Sequence, residues 1–337
     1  MKISMDGGTL CQPTNQRTGN YTFIENFLKA LSLYDKKNSY MVYTFCSSDY
    51  SFEPNITVKK LLPKIGWMRW RVDIEEMVSN NDLFLALNQV SPLFGTKKII
   101  SFCHGLSYYF YPNFYPKRDV IRLNNQLRDM VSRSDKIIVS SIKVKNELLS
   151  IVPKLKNIII LPFGIPFDIV RAKKNKGKEK ILLALGYDQP IKNTKFIINS
   201  FNQLIKQKKY KDYKLNVISA NKKEFLGKNI KIINNISREK IIDLYLSSSA
   251  LLTASHYESF NFPVLEALAG SCPIVGLKSA IIPEMQRYIE TVETKEDFVN
   301  KIEKTLTNPK KIDYDNLKKD FSWKNYIKKL IKIYDLA

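Results

Sequence analysis

Two glutamates, Glu258 and Glu266, stand eight residues apart in the stretch HYESFNFPVLEALAGSCPIV (256–275). The apolar run ALLTAS before it reads as a buried strand, which makes HYESFNF the loop at that strand's carboxyl end. Pro263 fits the first position of the helix that follows, where its missing N–H costs nothing. The free N–H groups of such a helix start suit a phosphate, and Glu266, one turn in, is placed to accept hydrogen bonds from ligand hydroxyls. Glu258 precedes the helix and lies near the same ligand. A second reading stands beside this one: Glu266 offsets the helix dipole and Glu258 is a solvated loop residue.

The elements around this stretch alternate. KISM, YMVYTF, NITVKKL, LFLAL, KKIISFCH, KIIVSS and NIIILPFGI read as strands, with helices at NYTFIENFLKALSLY, KRDVIRLNNQLRDMVSRS and SIKVKNELLSIV. After the polar, basic run DIVRAKKNKGKEK the pattern restarts. ILLALGY, YKLNVISA, NIKIINN, ALLTAS and PIVGL are strands, separated by NTKFIINSFNQLIKQ, SREKIIDLYLSSS and PVLEALAG as helices. The fold expected is α/β, with two Rossmann-like doubly wound domains facing across a cleft and ligands at the strands' carboxyl ends. The expected bounds are 1–167, a linker at 168–178, and 179–320. A closing amphipathic helix at 321–337, with Ile327, Leu330, Ile331 and Tyr334 on one face, packs back on the first domain.

Bulk properties narrow the classes. A chain of 337 residues accommodates two domains. Cys11, Cys46, Cys103 and Cys272 form no CxxC pair and fit free thiols in a reducing cytosol. There is no apolar run long enough to span a bilayer and no signal-peptide pattern, so the expected location is cytoplasmic, peripheral on a membrane's inner face. Two histidines exclude a His-rich metal site. The charge is unusual: 54 Lys+Arg against 32 Asp+Glu gives +22. Compositional bias toward lysine, an anionic membrane or acceptor, and nucleic acid each account for it. No nucleic-acid motif is present. LLPKIGWMRWRV (61–72) concentrates Lys64, Trp67, Arg69, Trp70 and Arg71, as a membrane or sugar-stacking surface would, or as a partly buried helix with snorkelling cations would. DYD at 313–315 has the form of a metal-binding DxD but lies far from a donor strand.

YESFNFPVLEALAGSCPIV resembles the donor-binding signature of the retaining glycosyltransferases of family 4, which have the GT-B fold. The likeness extends in order along nearly the whole chain: MKISMDGGTL with Gly19 beyond it, KKIISFCHGLSYYFYP, SRSDKIIVSSIKVKNELL, LPFGIP, LGYDQPIKN, and the final FSWKNYIKKLIKIY. The resemblance implies an enzyme that moves a sugar from a GDP-, UDP- or dTDP-linked donor to a glycan or lipid-linked acceptor, without metal or other cofactor. It implies that Lys192 meets the donor phosphates, Glu258 the sugar hydroxyls and Glu266 the ribose. Ser259 and the backbone N–H groups of Phe260, Asn261 and Phe262 line the donor, Gly19 lets its loop approach, and His104 lies beside the reaction centre. The opening is similar to mannosyl- and rhamnosyltransferases of surface-polysaccharide pathways. Tyr187 stands where the family has arginine, with Arg17 as a candidate substitute, and Asn261 and Ser271 stand where it has glycine. These departures also fit a weakened glycosyltransferase acting as a binding partner.

Overall fold

The computed structural model describes residues 1–14, 17–47, 52, 54–94, 98–172, 177–186, 188–219 and 228–335. The chain divides into two compact units, Met1–Gly164 with Phe321–Ala337, and Ile165–Asp320.

The first unit holds seven strands: β1 (Lys2–Asp6), β2 (Ser39–Thr44), β3 (Ile56–Lys60), β4 (Leu83–Ala86), β5 (Ile99–Cys103), β6 (Lys136–Val139) and β7 (Ile158–Ile160). Their order is β3-β2-β1-β4-β5-β6-β7, with every pairing parallel. All five residues of β5 are buried, as expected of a strand covered on both faces. The helix Gly19–Tyr34 buries Phe23, Ile24, Phe27, Leu28 and Leu31, one stripe at helical spacing. The carboxyl-terminal helix Trp323–Tyr334 packs on it. Its inner face carries Tyr326, Ile327, Leu330, Ile333 and Tyr334. Ile333 thus takes the place expected of Ile331, which is only half-buried. Ser322 caps this helix by accepting from the Asn325 N–H at 3.3 Å. Trp323 lies against Gly164, where a Cβ would come within 2.4 Å of the indole.

The second unit has β8 (Glu179–Leu185), β9 (Lys214–Ile218), β10 (Ile230–Ile233), β11 (Ser248–Thr253), β12 (Ile274–Leu277) and β13 (Glu290–Val292). The order β10-β9-β8-β11-β12-β13, all parallel, is the doubly wound arrangement whose order reverses between β8 and β11. β13 went unread in the sequence because it is three residues long and carries a glutamate and a threonine in place of an apolar run.

Two expectations need correction. The expected linker at 168–178 is ordered at its start: Phe167–Arg171 is helical, Ile169 is fully buried, and Asp168 is paired with Arg238 of the second unit, while 173–176 lie outside the described residues. One apolar side chain and one ion pair hold the Phe167–Arg171 turn in place. Cys11 and Cys46 are joined in a disulfide, while Cys103 and Cys272 are free and buried. β1 and β2 are parallel neighbours, so the loops leaving their carboxyl ends meet despite a sequence separation of 35. Spacing along the chain does not show this. Among the described residues no helix is long and apolar enough to cross a membrane.

Candidate functional site

The reversal between β8 and β11 leaves a crevice beyond their carboxyl ends, because the loops leaving the two strands turn to opposite sides. The loop after β8 carries Gly186 and Lys192, and the loop after β11 carries Ser255 and Glu258. Lys192 Nζ donates to Glu258 Oε1 at 2.7 Å, and Ser255 Oγ donates to the same oxygen at 2.7 Å. The loops are tied to each other by the His256 N–H to the Ile191 carbonyl (2.9 Å) and by Asn193 Nδ2 to the Ala254 carbonyl (3.2 Å). Gly186, at φ 89°, is required here: a Cβ would stand 2.5 Å from Lys192 Cγ, so the lysine stem crosses where only glycine leaves room. The structure therefore brings two expected residues, Lys192 and Glu258, into contact. It adds Ser255 and Gly186, neither of which the sequence reading singled out.

The helix Phe262–Ala269 follows, with Pro263 at its second position, one later than expected but still in the turn that needs no N–H. Asn261 caps it at φ 68°; its Oδ1 accepts from the Val264 N–H at 3.3 Å and its Nδ2 donates to the Ala280 carbonyl at 2.9 Å. Asparagine tolerates this left-handed position better than most residues, which is how the turn survives without the family's glycine. Phe260 and Phe262 are buried, their rings edge to face at 5.1 Å, and Ser259 lies between Glu258 and Phe260 in the same loop. At the other end Ser271 takes φ 55°, and the Cys272 N–H reaches back to the Ala267 carbonyl at 2.8 Å to close the helix. Serine there carries a steric cost that glycine does not. Ser271→Gly is expected to stabilise the protein by about 1 kcal/mol. A raised midpoint in urea with an unchanged slope is the predicted signature.

Glu266 is not beside Glu258 in any hydrogen bond. Its carboxylate is 4% exposed and meets Arg238 at 2.7 Å, and the same guanidinium binds Asp168 at 2.8 and 3.0 Å. Burial works against the arginine's charge, but Glu266 and Asp168 outweigh it and hold the guanidinium firmly protonated. Arg238 begins the helix Arg238–Ser247, capped by Ser237. No local pattern signals that an arginine in SREKI and an aspartate in the expected linker close on the second glutamate.

In the first unit the order reverses between β1 and β4. Asp6 ends β1 and takes hydrogen bonds from the backbone and side chain of Asn88, and Asn88 Oδ1 accepts from Thr9 Oγ1 at 2.6 Å. Burial raises the Asp6 carboxyl to about 7 against these bonds. His104 follows β5. Its Nε2 is 2.5 Å from the Leu87 carbonyl, which can only accept, so Nε2 carries the proton. The ring is flanked by Phe23 at 5.0 Å and Phe163 at 5.9 Å. Burial pulls the imidazole down to about 4, against the Leu87 carbonyl, which favours the charged form. His104 is therefore neutral at pH 7. Gly19 is the first residue of its helix, and the Arg17 guanidinium sits 4.1 Å over the Tyr21 ring. Tyr187 lies outside the described residues. The DYD carboxylate Asp313 accepts from the Asn316 N–H and side chain, as a helix-start residue does. Among the described residues no three His, Cys, Asp or Glu side chains are grouped to hold a metal ion.

The profile of the family described as Glycosyl transferases group 1 matches residues 167–329. A probable sucrose-phosphate synthase of Thermosipho melanesiensis is 24% identical over 217 residues, covering 56% of this chain and 50% of the relative. The chain spans half or less of the length of the curated relatives it matches. Among solved structures, the sucrose-phosphate synthase of Thermosynechococcus elongatus superposes with a TM-score of 0.73 at 14% identity, over 100% of this chain and 98% of the other. Anabaena HepE, solved in complex with UDP-glucose, gives 0.70 at 11% identity over the whole of both chains. These likenesses show the GT-B fold. The matched residues 167–329 hold both the Lys192–Glu258 pair and the Arg238–Glu266 pair.

Proposed function

We propose that the protein is a retaining, metal-independent glycosyltransferase that moves a sugar from a nucleoside-diphosphate sugar to a glycan or lipid-linked saccharide at a membrane, in the building of a surface polysaccharide. The observation that carries the reading is the Lys192–Glu258 contact at the reversal point of the second sheet, within the residues that the family's profile matches. An ammonium beside a carboxylate is what a sugar diphosphate requires: a cation for the departing phosphates and an acceptor for sugar hydroxyls. The structural likeness to HepE in its UDP-glucose complex supports a nucleotide-sugar donor.

In the proposed step the donor's C1–O bond to phosphate breaks and the acceptor oxygen bonds to C1 on the same face. The acceptor proton passes to the leaving phosphate. Lys192 offsets the charge that develops on that phosphate. The start of the Phe262–Ala269 helix adds its dipole, with Ser259, Phe260, Asn261 and Phe262 lining the donor. Glu258, already oriented by Ser255, holds the sugar. Glu266 takes a ribose hydroxyl, and Arg238 fixes its carboxylate until then. His104, neutral and with its tautomer set by Leu87, acts as a hydrogen-bonding neighbour of the sugar rather than as an acid. Ser271, one motive for a weakened-enzyme reading, closes its helix without disruption. A mannosyl- or rhamnosyl-type donor is the narrower form of the proposal. Calorimetric titration with GDP-, UDP- and dTDP-sugars tests it: one should bind, and a panel without binding would remove the donor site.

A further inference from the structure

The segment 62–78 of the first unit is built inside out. A π-helical turn, Trp67–Val72, runs directly into the helix Asp73–Val78. The helix's three carboxylates point inward and are engaged. Asp73 accepts from the Leu93 and Phe94 N–H groups, Glu75 pairs with Lys59 and Arg71, and Glu76 accepts from the Tyr43 hydroxyl at 2.7 Å. The residues left facing solvent are apolar: Trp70 is 71% exposed, Ile74 51%, Met77 62% and Val78 75%. Positions 70, 74, 77 and 78 follow helical spacing, so they lie on one stripe. Ile65, 90% exposed, precedes them in the chain. Phe94, 61% exposed, adjoins the stripe through its N–H bond to Asp73. Gly66, at φ 65°, is matched to this surface, since a Cβ there would stand 2.5 Å from the Trp70 ring.

Single exposed apolar side chains are ordinary, but a helix that buries its acids and exposes its apolar stripe is not. Its solvent face carries no carboxylate, and its neighbours Lys60 and Lys64 are exposed cations. The chain as a whole is at +22. We infer that this stripe is a docking surface for an anionic lipid bilayer. Trp70, Ile74, Met77 and Val78 enter the headgroup–acyl boundary, and the lysines lie against anionic headgroups. Tryptophan with flanking lysine is the chemistry of that boundary, and charge complementarity selects a bilayer over a second copy of an equally cationic chain. The inference deepens the membrane side of the proposed function and rests on it only in the choice of a membrane-presented acceptor. Docking is measured without sugar transfer, so the two fail separately.

The test is sedimentation of the full chain with phosphatidylcholine vesicles, with and without phosphatidylglycerol, together with tryptophan fluorescence. Binding only to the anionic vesicles is expected, with a blue shift and a decline as salt rises. Ile74→Glu with Met77→Glu should weaken binding about tenfold or more while the thermal midpoint stays near that of the parent. Lys64→Gln should lower the salt sensitivity. Unchanged binding by the folded double variant would overturn the inference, as would no vesicle binding at all. A concentration-dependent dimer in sedimentation velocity, abolished by the double variant without any vesicle binding, would assign the stripe to a second copy and equally overturn it.

Discussion

Arg238→Ala should destabilise the second unit by about 3 kcal/mol, the low end of the range for removing one member of a buried ion pair. The reason lies in what remains. Glu266 keeps a carboxylate that is 4% exposed, with its cation gone. The loss stays at the low end because Arg238 and Asp168 are 33% and 40% exposed, so Asp168 recovers its hydration when released. In a unit of this size the loss corresponds to a fall in Tm of roughly 6–12 °C. Replacing both members, as Arg238→Leu with Glu266→Leu, should recover much of the loss, because the unpaired buried charge disappears with its partner. A single variant that melts with the parent would show that Glu266 is solvated and the triad is ornamental. The same result bears on the nucleotide site, since Glu266 and Glu258 are carried by one helix and the loop that leads into it.

The second large effect is on transfer. Lys192→Ala is expected to lower kcat/KM for the nucleotide sugar that binds by about 100- to 1,000-fold, the scale of removing one preorganised charge-stabilising group. Lys192 is a quarter exposed and fixed by Glu258, so its loss removes a positioned charge that solvent cannot supply with the same geometry. Glu258→Gln keeps the shape and the Ser255 bond but drops the charge, and its effect should fall mainly on recognition of the sugar. Stability separates these roles from packing: both variants should melt within a few degrees of the parent, because the pair is not fully buried. If transfer survives both substitutions unchanged, the roles given to the two residues are wrong.

Much of this was legible in the sequence, and the physical reason is periodicity. Buried parallel strands demand unbroken apolar runs, and ILLALGY, ALLTAS and KKIISFCH supplied them. Pro263 and Asn261 marked the helix start, because the first turn tolerates a missing N–H and asparagine tolerates left-handed backbone. The alternation implied parallel, doubly wound sheets, and with them the strand carboxyl ends from which Lys192 and Glu258 emerge; the order of the strands came only from the structure.

What the sequence could not supply are contacts between residues far apart in the chain. Arg238 closes on Asp168 and Glu266 only because the helix Arg238–Ser247, the segment entering the second unit and the Phe262–Ala269 helix converge in space. Cys11 finds Cys46 because two parallel strands carry their loops to one end. The inverted helix at 73–78 is the sharpest case. Its composition alone reads as an ordinary amphipathic segment, and which face is buried depends on partners such as Tyr43, Lys59 and the Leu93 backbone. Periodicity fixes which residues share a face. Only packing against the rest of the molecule decides which face meets water, because that choice is set by the hydrogen bonds and charges waiting on the other side.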